Sequence, residues 1–222
     1  MNVGIVEIHA YQEEFVITKG QLVMSAKYRY LNCGLILSVL FLTFAPNAAA
    51  ESAKEQLQVT IDRVIEVLRT IHSAEDIERN RTSLRQILLT RFDFTAMAEK
   101  SLGNHWKDLD GMEEEFVSTF TDFVEHSYMS TLGSYRGEKV VYDRDRSDGE
   151  SAEVDTRVVG GRGTPIKIAY KLHLTGGQWM VYDAVIDDVS VVGNYRSQFA
   201  RILKTASLEE LIQNLRAKGS GR

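Results

Sequence analysis

The spacing of apolar residues changes period twice along this chain of 222 residues, and this change constrains the fold more than any other feature. From 52 to about 135, apolar side chains recur every three or four residues, which indicates amphipathic helices. From 138 to 187 they alternate with polar side chains, which indicates strands. From 189 to about 218 the helical period returns. One sheet with helices before and after it predicts an α+β fold.

Four helices are predicted in the first half of the chain. The first follows Ser52, and the second covers about 75–90. The third begins at Asp93, a good N-cap residue, and stops at Gly103. These signals place the helix ends from local sequence alone.

The longest predicted helix begins at Asp110, whose side chain can cap it with Glu113 as its reciprocal partner. It runs to about Leu132. Its apolar stripe is heavily aromatic and includes Phe116, Val117, Phe120, Phe123, Val124, Tyr128, Leu132 and Tyr135. This stripe predicts a helix that packs against the sheet.

Three turn signals divide the strand-rich part, namely Asp148-Gly149, 160–163 and Gly176-Gly177. They predict four antiparallel strands in a meander. The second and third strands alternate strictly, so the sheet has one dry face and one wet face. The fourth strand is apolar on nearly both faces, which predicts a central or doubly covered strand.

An apolar run, Leu35 to Ala45, is about half the roughly 20 residues that a membrane-spanning helix needs. Lys27 and Arg29 precede it and Ala48–Ala50 follow it, as in a Sec-type signal peptide. We therefore expect cleavage near Ala50 and a periplasmic mature protein.

Met24 lies just before the basic residues of this signal, so residues 1–23 are interpreted as an upstream extension with the true start at Met24. Residues 1–50 then comprise the extension and the cleaved signal. Residues 51–222 form the mature domain, with a helical lobe at 51–135 and a sheet-plus-helix lobe at 136–222. Cleavage also removes Cys33, the only cysteine.

Motifs for catalysis or cofactors are not found in this sequence. It has no G-x-S-x-G, and the mature part has no cysteine to activate. The four histidines of the mature part lie on separate predicted elements without metal-ligand spacing. The acidic run 143–150 misplaces both the glycine and the final carboxylate of a calcium loop. We expect no bound metal or cofactor, and no enzymatic activity.

Asp183 on the fourth strand is the one residue that could act as a catalytic base. By alternation it shares a face with Trp179, Val181 and Val185, and a carboxylate in a concave apolar face can have a raised pKa. The structural alternative is that Asp183 accepts hydrogen bonds from a helix end or from Tyr195.

The formal net charge of −5 makes nucleic acid an improbable partner. Nothing in the sequence indicates a symmetric interface, so we expect a monomer.

Four segments resemble the MlaC family of periplasmic phospholipid-binding proteins, also called the toluene-tolerance family. They are Arg-Phe-Asp-Phe-Thr-Ala-Met-Ala at 91–98, Ser-Leu-Gly-Asn-His-Trp at 101–106, Gln-Trp-Met-Val-Tyr-Asp at 178–183 and Val-Ser-Val-Val-Gly-Asn-Tyr-Arg-Ser-Gln-Phe at 189–199. One departure is Asp187-Asp188, where the family pattern has an acidic residue followed by glycine.

The resemblance implies a curved, nuclear-transport-factor-like sheet wrapped by helices. It also implies a soluble carrier that shuttles phospholipid between the outer membrane and an inner-membrane ABC transporter, and so maintains the lipid asymmetry of the outer membrane. Transient partners would be that transporter complex and an outer-membrane lipoprotein complex. The acyl chains would lie inside the protein and the headgroup in water.

Such a carrier needs a lining of aliphatic and aromatic side chains with few fixed polar groups. The residues that we expect to contact lipid are Phe116, Phe120, Val124, Tyr128, Tyr135, Val154, Val158, Ile168, Tyr170, Trp179, Val181, Val185, Val189, Tyr195 and Phe199. The alternative function is an enzyme of nuclear-transport-factor-like fold that acts on a small apolar substrate with Asp183 as base. A purely structural protein with a filled core is a third possibility.

Overall fold

The computed structural model describes residues 17–18, 21–22, 51–132, 134–160 and 164–219. The chain divides into two compact units, Met1–Ala49 and Ala50–Arg222. The described part of the first unit is a short antiparallel ladder between Ile17–Thr18 and Gln21–Leu22. Met24, the apolar run and the expected cleavage site near Ala50 lie outside the described residues.

Helices and strands of the second unit follow the predicted order. The helices are α1 (Ala53–Leu68), α2 (Ala74–Leu89), α3 (Phe94–Leu102), a 3-10 helix (Gly103–Asp108), α4 (Glu113–Leu132), α5 (Val191–Ile202) and α6 (Leu208–Gly219). The strands are β1 (Lys139–Asp148), β2 (Ser151–Val159), β3 (Ile166–Thr175), β4 (Gln178–Ile186) and β5 (Val189–Ser190). The predicted α+β class and the helical first half are confirmed.

Side chains cap the first three helices. Ser52 and Ser73 each form a capping box at the start of α1 and α2. Asp93 accepts a hydrogen bond from Ala96 N at 2.8 Å, and Gly103 ends α3. The predicted start and stop of α3 are therefore confirmed.

The predicted start of α4 at Asp110 is wrong. Asp110 has a φ of 45° and Gly111 a φ of 90°, so both residues lie in a left-handed turn before the helix. The Met112 carbonyl accepts the first intrahelical hydrogen bond, from Phe116 N at 2.9 Å. Met112 is therefore the N-cap residue, and Asp110 is two residues too early to cap the helix.

The sheet is antiparallel, open and curved, with the linear order β1-β2-β3-β4-β5. The prediction of four strands is wrong, because the chain reverses after β4 through Asp187 and Asp188, and β5 pairs with Val185 and Ile186. Asp187 and Asp188 adopt φ values of 44° and 68°, a conformation that side chains disfavour. This tight turn returns the chain to the sheet for two residues before α5.

The fourth strand is covered on its outer edge as well as by β3. Asp93 N donates to Val181 O at 2.8 Å, and Val181 N donates to Arg91 O at 2.7 Å. The segment before α3 thus pairs with one end of β4, while β5 pairs with the other end. β4 is therefore a central strand, which is one of the two arrangements predicted for it.

A β-bulge at Tyr182 reverses the faces of the second half of β4. Val181 lies opposite Leu172, but Asp183 lies opposite Lys171, so Tyr182 has no cross-strand partner. Cross-strand partners point to the same face of a sheet, and one extra residue shifts the alternation by one. The prediction that Asp183 and Val185 share a face with Val181 is therefore wrong.

Three apolar clusters form the core of this unit. The first joins α3, α4, α5 and α6 around Phe116, Phe120, Tyr195 and Phe199, whose neighbouring ring centroids are 5.7–6.2 Å apart. The second packs α1 on the sheet, and the third joins α1, α2 and α4. Separate clusters, rather than one continuous core, leave room at the place where they meet.

Candidate functional site

An apolar cavity of about 230 Å³ lies where the three clusters meet. Helix α4 contributes one long wall, formed by Thr121, Val124, Glu125, Tyr128, Met129 and Leu132. Steps of three and four residues place these side chains on one face of the helix. The second half of α4 therefore lines the cavity, whereas its first half packs in the aromatic cluster.

The sheet contributes the opposite wall through Ile168 and Tyr170 of β3 and Ala184 and Ile186 of β4. Ile168 pairs with Ile186 and Tyr170 pairs with Ala184, so all four side chains point to the same face. The bulge at Tyr182 creates this wall, because strict alternation would have directed Val185 into the cavity instead.

The remaining walls come from helices on either side. Ile61 and Val64 of α1 and Arg85 and Leu88 of α2 form one of them. The other contains Phe92, Phe94, Met97 and Val191. Most of the lining is aliphatic or aromatic, as an occupant without hydrogen-bonding groups requires.

The polar groups inside the cavity are mainly neutral hydroxyls. Burial raises the pKa of Tyr170 to about 12. Burial also raises the pKa of Tyr128, which a hydrogen bond with Tyr195 lowers to a smaller extent. The Thr121 hydroxyl donates to Val117 O at 2.7 Å within its own helix. Neither tyrosine carries a charge near neutral pH.

Charged groups are confined to the border of the cavity. Glu125 of α4 has a side chain that is only 7% exposed, and its carboxylate accepts hydrogen bonds from Arg81 at 3.2 Å and from Arg85. Arg85 also donates to Asp122 at 2.7 Å. These ion pairs connect α2 to α4 along one side of the cavity.

Four of the residues that the sequence nominated lie on the cavity wall: Val124, Tyr128, Ile168 and Tyr170. Seven others lie in the packed clusters and not on the wall. They are Phe116, Phe120, Tyr195 and Phe199 of the first cluster and Val154, Trp179 and Val181 of the second.

The last four nominated residues lie further away. Tyr135 packs against the third cluster, and Val158 is half-buried near the end of β2. Val185 points to the sheet face opposite the cavity, and Val189 is 58% exposed. Neither of the last two side chains belongs to the apolar lining.

Sequence reasoning did not nominate several wall residues, notably Ile61, Val64, Met129 and Ala184. Ile61 and Val64 belong to the apolar stripe of α1, so their periodicity was a usable signal. No local signal distinguishes Ala184 from Val185, because the bulge that exchanges their faces depends on pairing with β3.

Asp183 lies away from the cavity and has a structural role. Asp183 is 4% exposed, and its carboxylate accepts hydrogen bonds from Ser190 Oγ at 2.7 Å and Val192 N at 3.1 Å. Lys171 Nζ lies 3.7 Å away. The predicted interaction of Asp183 with a helix end is confirmed, since Ser190 is the N-cap of α5. A base in this position faces away from any substrate in the cavity.

Among the described residues, no group of three or more His, Cys, Asp or Glu side chains is arranged to hold a metal ion. In the same residues, no helix combines the length and apolarity that a membrane span requires.

Comparison with known proteins identifies a family. The family model described as MlaC protein matches residues 58–217. The Intermembrane phospholipid transport system binding protein MlaC of Haemophilus influenzae is 26% identical over 146 residues, which cover 63% of this chain and 68% of the relative. Toluene tolerance protein ttg2D of Pseudomonas putida is 26% identical over 88 residues, 39% of this chain and 41% of the relative.

A solved structure shares the fold. It is a phospholipid-binding protein from Ralstonia solanacearum in complex with a phospholipid, with a TM-score of 0.67 and 23% identity. The alignment covers 77% of this chain and 98% of that protein.

Proposed function

The chain belongs to the MlaC family, and on this premise we propose that it is a phospholipid carrier whose apolar cavity holds acyl chains. The family relative from Haemophilus influenzae is named for intermembrane phospholipid transport, and the structural neighbour contains a phospholipid. The cavity is the observation in this molecule that supports the same role.

An unfilled apolar cavity is unfavourable for a protein. At about 24 cal/mol per Å³ of enclosed apolar cavity, a volume of about 230 Å³ corresponds to at most roughly 5.5 kcal/mol of lost stability. Acyl chains would recover this free energy, since they fill space without needing hydrogen-bond partners. The cavity is thus better explained by an apolar ligand than by packing.

Transport through water requires such a cavity. Each methylene that leaves water contributes about 0.8 kcal/mol, and a two-chain lipid has roughly 30 methylenes, so free transfer costs on the order of 20 kcal/mol. A carrier that shields most of the chains removes most of this barrier.

The cavity must widen to load a whole lipid, because pockets for ligands of drug size measure about 300–1,000 Å³. Helix α2 is the wall that can move with the smallest loss of packing. Of its 16 described residues only Leu84 is buried, and ion pairs supply much of its attachment to α4. We expect α2 to move outward on loading.

The proposed cellular role follows the family. After cleavage near Ala50, the carrier would shuttle phospholipid across the periplasm between an outer-membrane lipoprotein complex and an inner-membrane ABC transporter. This exchange would maintain the lipid asymmetry of the outer membrane. A monomer without cofactors is sufficient for this role, and the direction of net transport would depend on the energised partner.

Native mass spectrometry tests the carrier proposal. The full chain is expressed in a bacterium with an outer membrane, purified from the periplasm without detergent, and analysed before and after organic extraction. The expected result is a stoichiometric phospholipid adduct and an N-terminus near Glu51. A bare protein mass that stays unchanged after incubation with phospholipid vesicles would contradict the proposal.

A further inference from the structure

A polar groove of about 410 Å³ adjoins the apolar cavity. Its charged lining consists of Arg81, Arg85, Glu115, Asp122, Glu125 and Arg216. Arg85 and Glu125 line both the groove and the cavity, so the two spaces share a boundary at these side chains. The groove therefore lies directly beside the acyl cavity, across these two side chains.

The groove contains equal numbers of positive and negative groups. Its three arginines are matched by three carboxylates, and Arg216 pairs with Glu115 at 2.6 Å on the side contributed by α6. A lining with a net charge of zero does not attract a purely anionic ligand strongly. It is complementary to a ligand that carries both signs.

Arg85 has hydrogen-bonding capacity that the structure does not use. Among the described residues, its hydrogen bonds to Asp122 and Glu125 both run from Nη1. The N–H groups of Nε and Nη2 form the other edge of the guanidinium, and such an edge matches two oxygens of a phosphate. The Arg85 side chain is 34% exposed, so this edge is accessible from solvent.

We propose that Arg85, assisted by Arg81, binds the phosphate of the lipid headgroup in this groove, and that Asp122 and Glu115 favour a headgroup with an ammonium. The ligand class is thus a zwitterionic aminophospholipid. The inference rests on the proposed carrier function and adds a headgroup site to it.

The geometry of a phospholipid supports this position. Only the glycerol unit separates the phosphate from the acyl chains, so a phosphate site must lie directly at the mouth of the acyl cavity. Arg85 fulfils this condition because it borders both spaces. Arg146 of β1 pairs with Glu153 of β2 and lines neither space, which makes it a matched control.

The test compares lipids that share acyl chains and differ in headgroup. Delipidated full-chain protein is incubated with vesicles that contain equal amounts of phosphatidylethanolamine, phosphatidylglycerol and diacylglycerol, and the extracted lipids are quantified. Diacylglycerol lacks the phosphate. Since a hydrogen bond to a charged group contributes about 1.5–3 kcal/mol, we expect at least a tenfold preference for phosphatidylethanolamine over diacylglycerol.

Three variants identify the side chains that cause this preference. Arg85→Gln should reduce the preference for phosphatidylethanolamine over diacylglycerol to near one, and Arg146→Gln should leave this preference unchanged. Asp122→Asn should raise phosphatidylglycerol uptake relative to phosphatidylethanolamine several-fold. Asp122 is 53% exposed, so this variant tests the groove even if Arg85→Gln fails to fold.

The outcomes separate the two proposals. A wild-type preference near one, or a preference that neither Arg85→Gln nor Asp122→Asn changes, overturns the headgroup site and leaves the carrier intact. Failure to take up any of the three lipids overturns the carrier function itself. Inorganic phosphate at millimolar concentration distinguishes the source of the anion: if it abolishes the preference without changing diacylglycerol uptake, the groove binds free phosphate as well as the headgroup.

Discussion

Filling the cavity from the sheet side should stabilise the lipid-free protein and prevent lipid binding. Ala184 is the suitable position, because its small side chain points into the cavity beside that of Tyr170, its cross-strand partner. A cavity of about 150 Å³ accepts a benzene ring, so the phenyl group of Ala184→Phe fits within about 230 Å³.

The expected magnitudes follow from the volume. Filling about 150 Å³ recovers up to roughly 3.6 kcal/mol, and imperfect packing reduces this to about 2 kcal/mol. For a protein of this size the Tm of the delipidated form should then rise by about 4–8 °C. The same ring excludes about six methylenes of an acyl chain, worth roughly 5 kcal/mol, so phospholipid affinity should fall more than a thousandfold.

Differential scanning calorimetry of delipidated protein and lipid extraction after vesicle incubation measure the two effects. Ala169→Phe is the control, since Ala169 pairs with Val185 on the sheet face opposite the cavity. It should not fill the cavity and should leave lipid uptake intact. An Ala184→Phe protein that gains no stability and still binds lipid as the wild type does would refute the assignment of the cavity.

Three further predictions concern the framework around the site. Asp183→Ala should lower the free energy of unfolding by about 1–3 kcal/mol, because Ser190 Oγ and Val192 N lose a buried acceptor, and urea denaturation measures the loss. Asp188→Gly should raise that free energy by up to about 1 kcal/mol, since glycine adopts a φ of 68° without strain; an unchanged urea midpoint would show that the turn is not strained. Hydrogen bonds from the His72 backbone, and then from Arg79 and Ser73, lower the pKa of Asp76 to about 2, so its stabilisation is complete above about pH 4 and is lost as the pH falls towards 2. Acid titration of Asp76→Asn should therefore show a difference from wild type at pH 6 that disappears near pH 2.

Much of the fold could be predicted because its signals are local. The N-cap at Asp93, the stop at Gly103 and the turns at Gly149 and Gly176-Gly177 each depend on the conformational preferences of a few neighbouring residues. The period of apolar residues likewise depends only on spacing. The α+β class, the order of elements and the family resemblance therefore follow from the sequence.

The position of the cavity depends on tertiary structure. The apolar residues of α4 follow one stripe. Within it, Phe116 and Phe120 pack against α5, whereas Val124 and Tyr128 face the cavity. Which part of the stripe is filled depends on where α5 and α6 end against it. Spacing within one helix contains no information about that contact.

The bulge at Tyr182 also depends on tertiary structure. The sequence of β4 reads as regular alternation, but pairing with β3 inserts one unpaired residue, which moves Ala184 into the cavity and Asp183 towards Ser190. Arg85 and Asp122 are likewise 37 residues apart and meet only because α2 packs against α4. Local sequence is sufficient to predict the helices and strands and the apolar character of their faces. Which faces meet and which enclose empty space follows from tertiary packing, because those outcomes depend on contacts between residues that are distant in the chain.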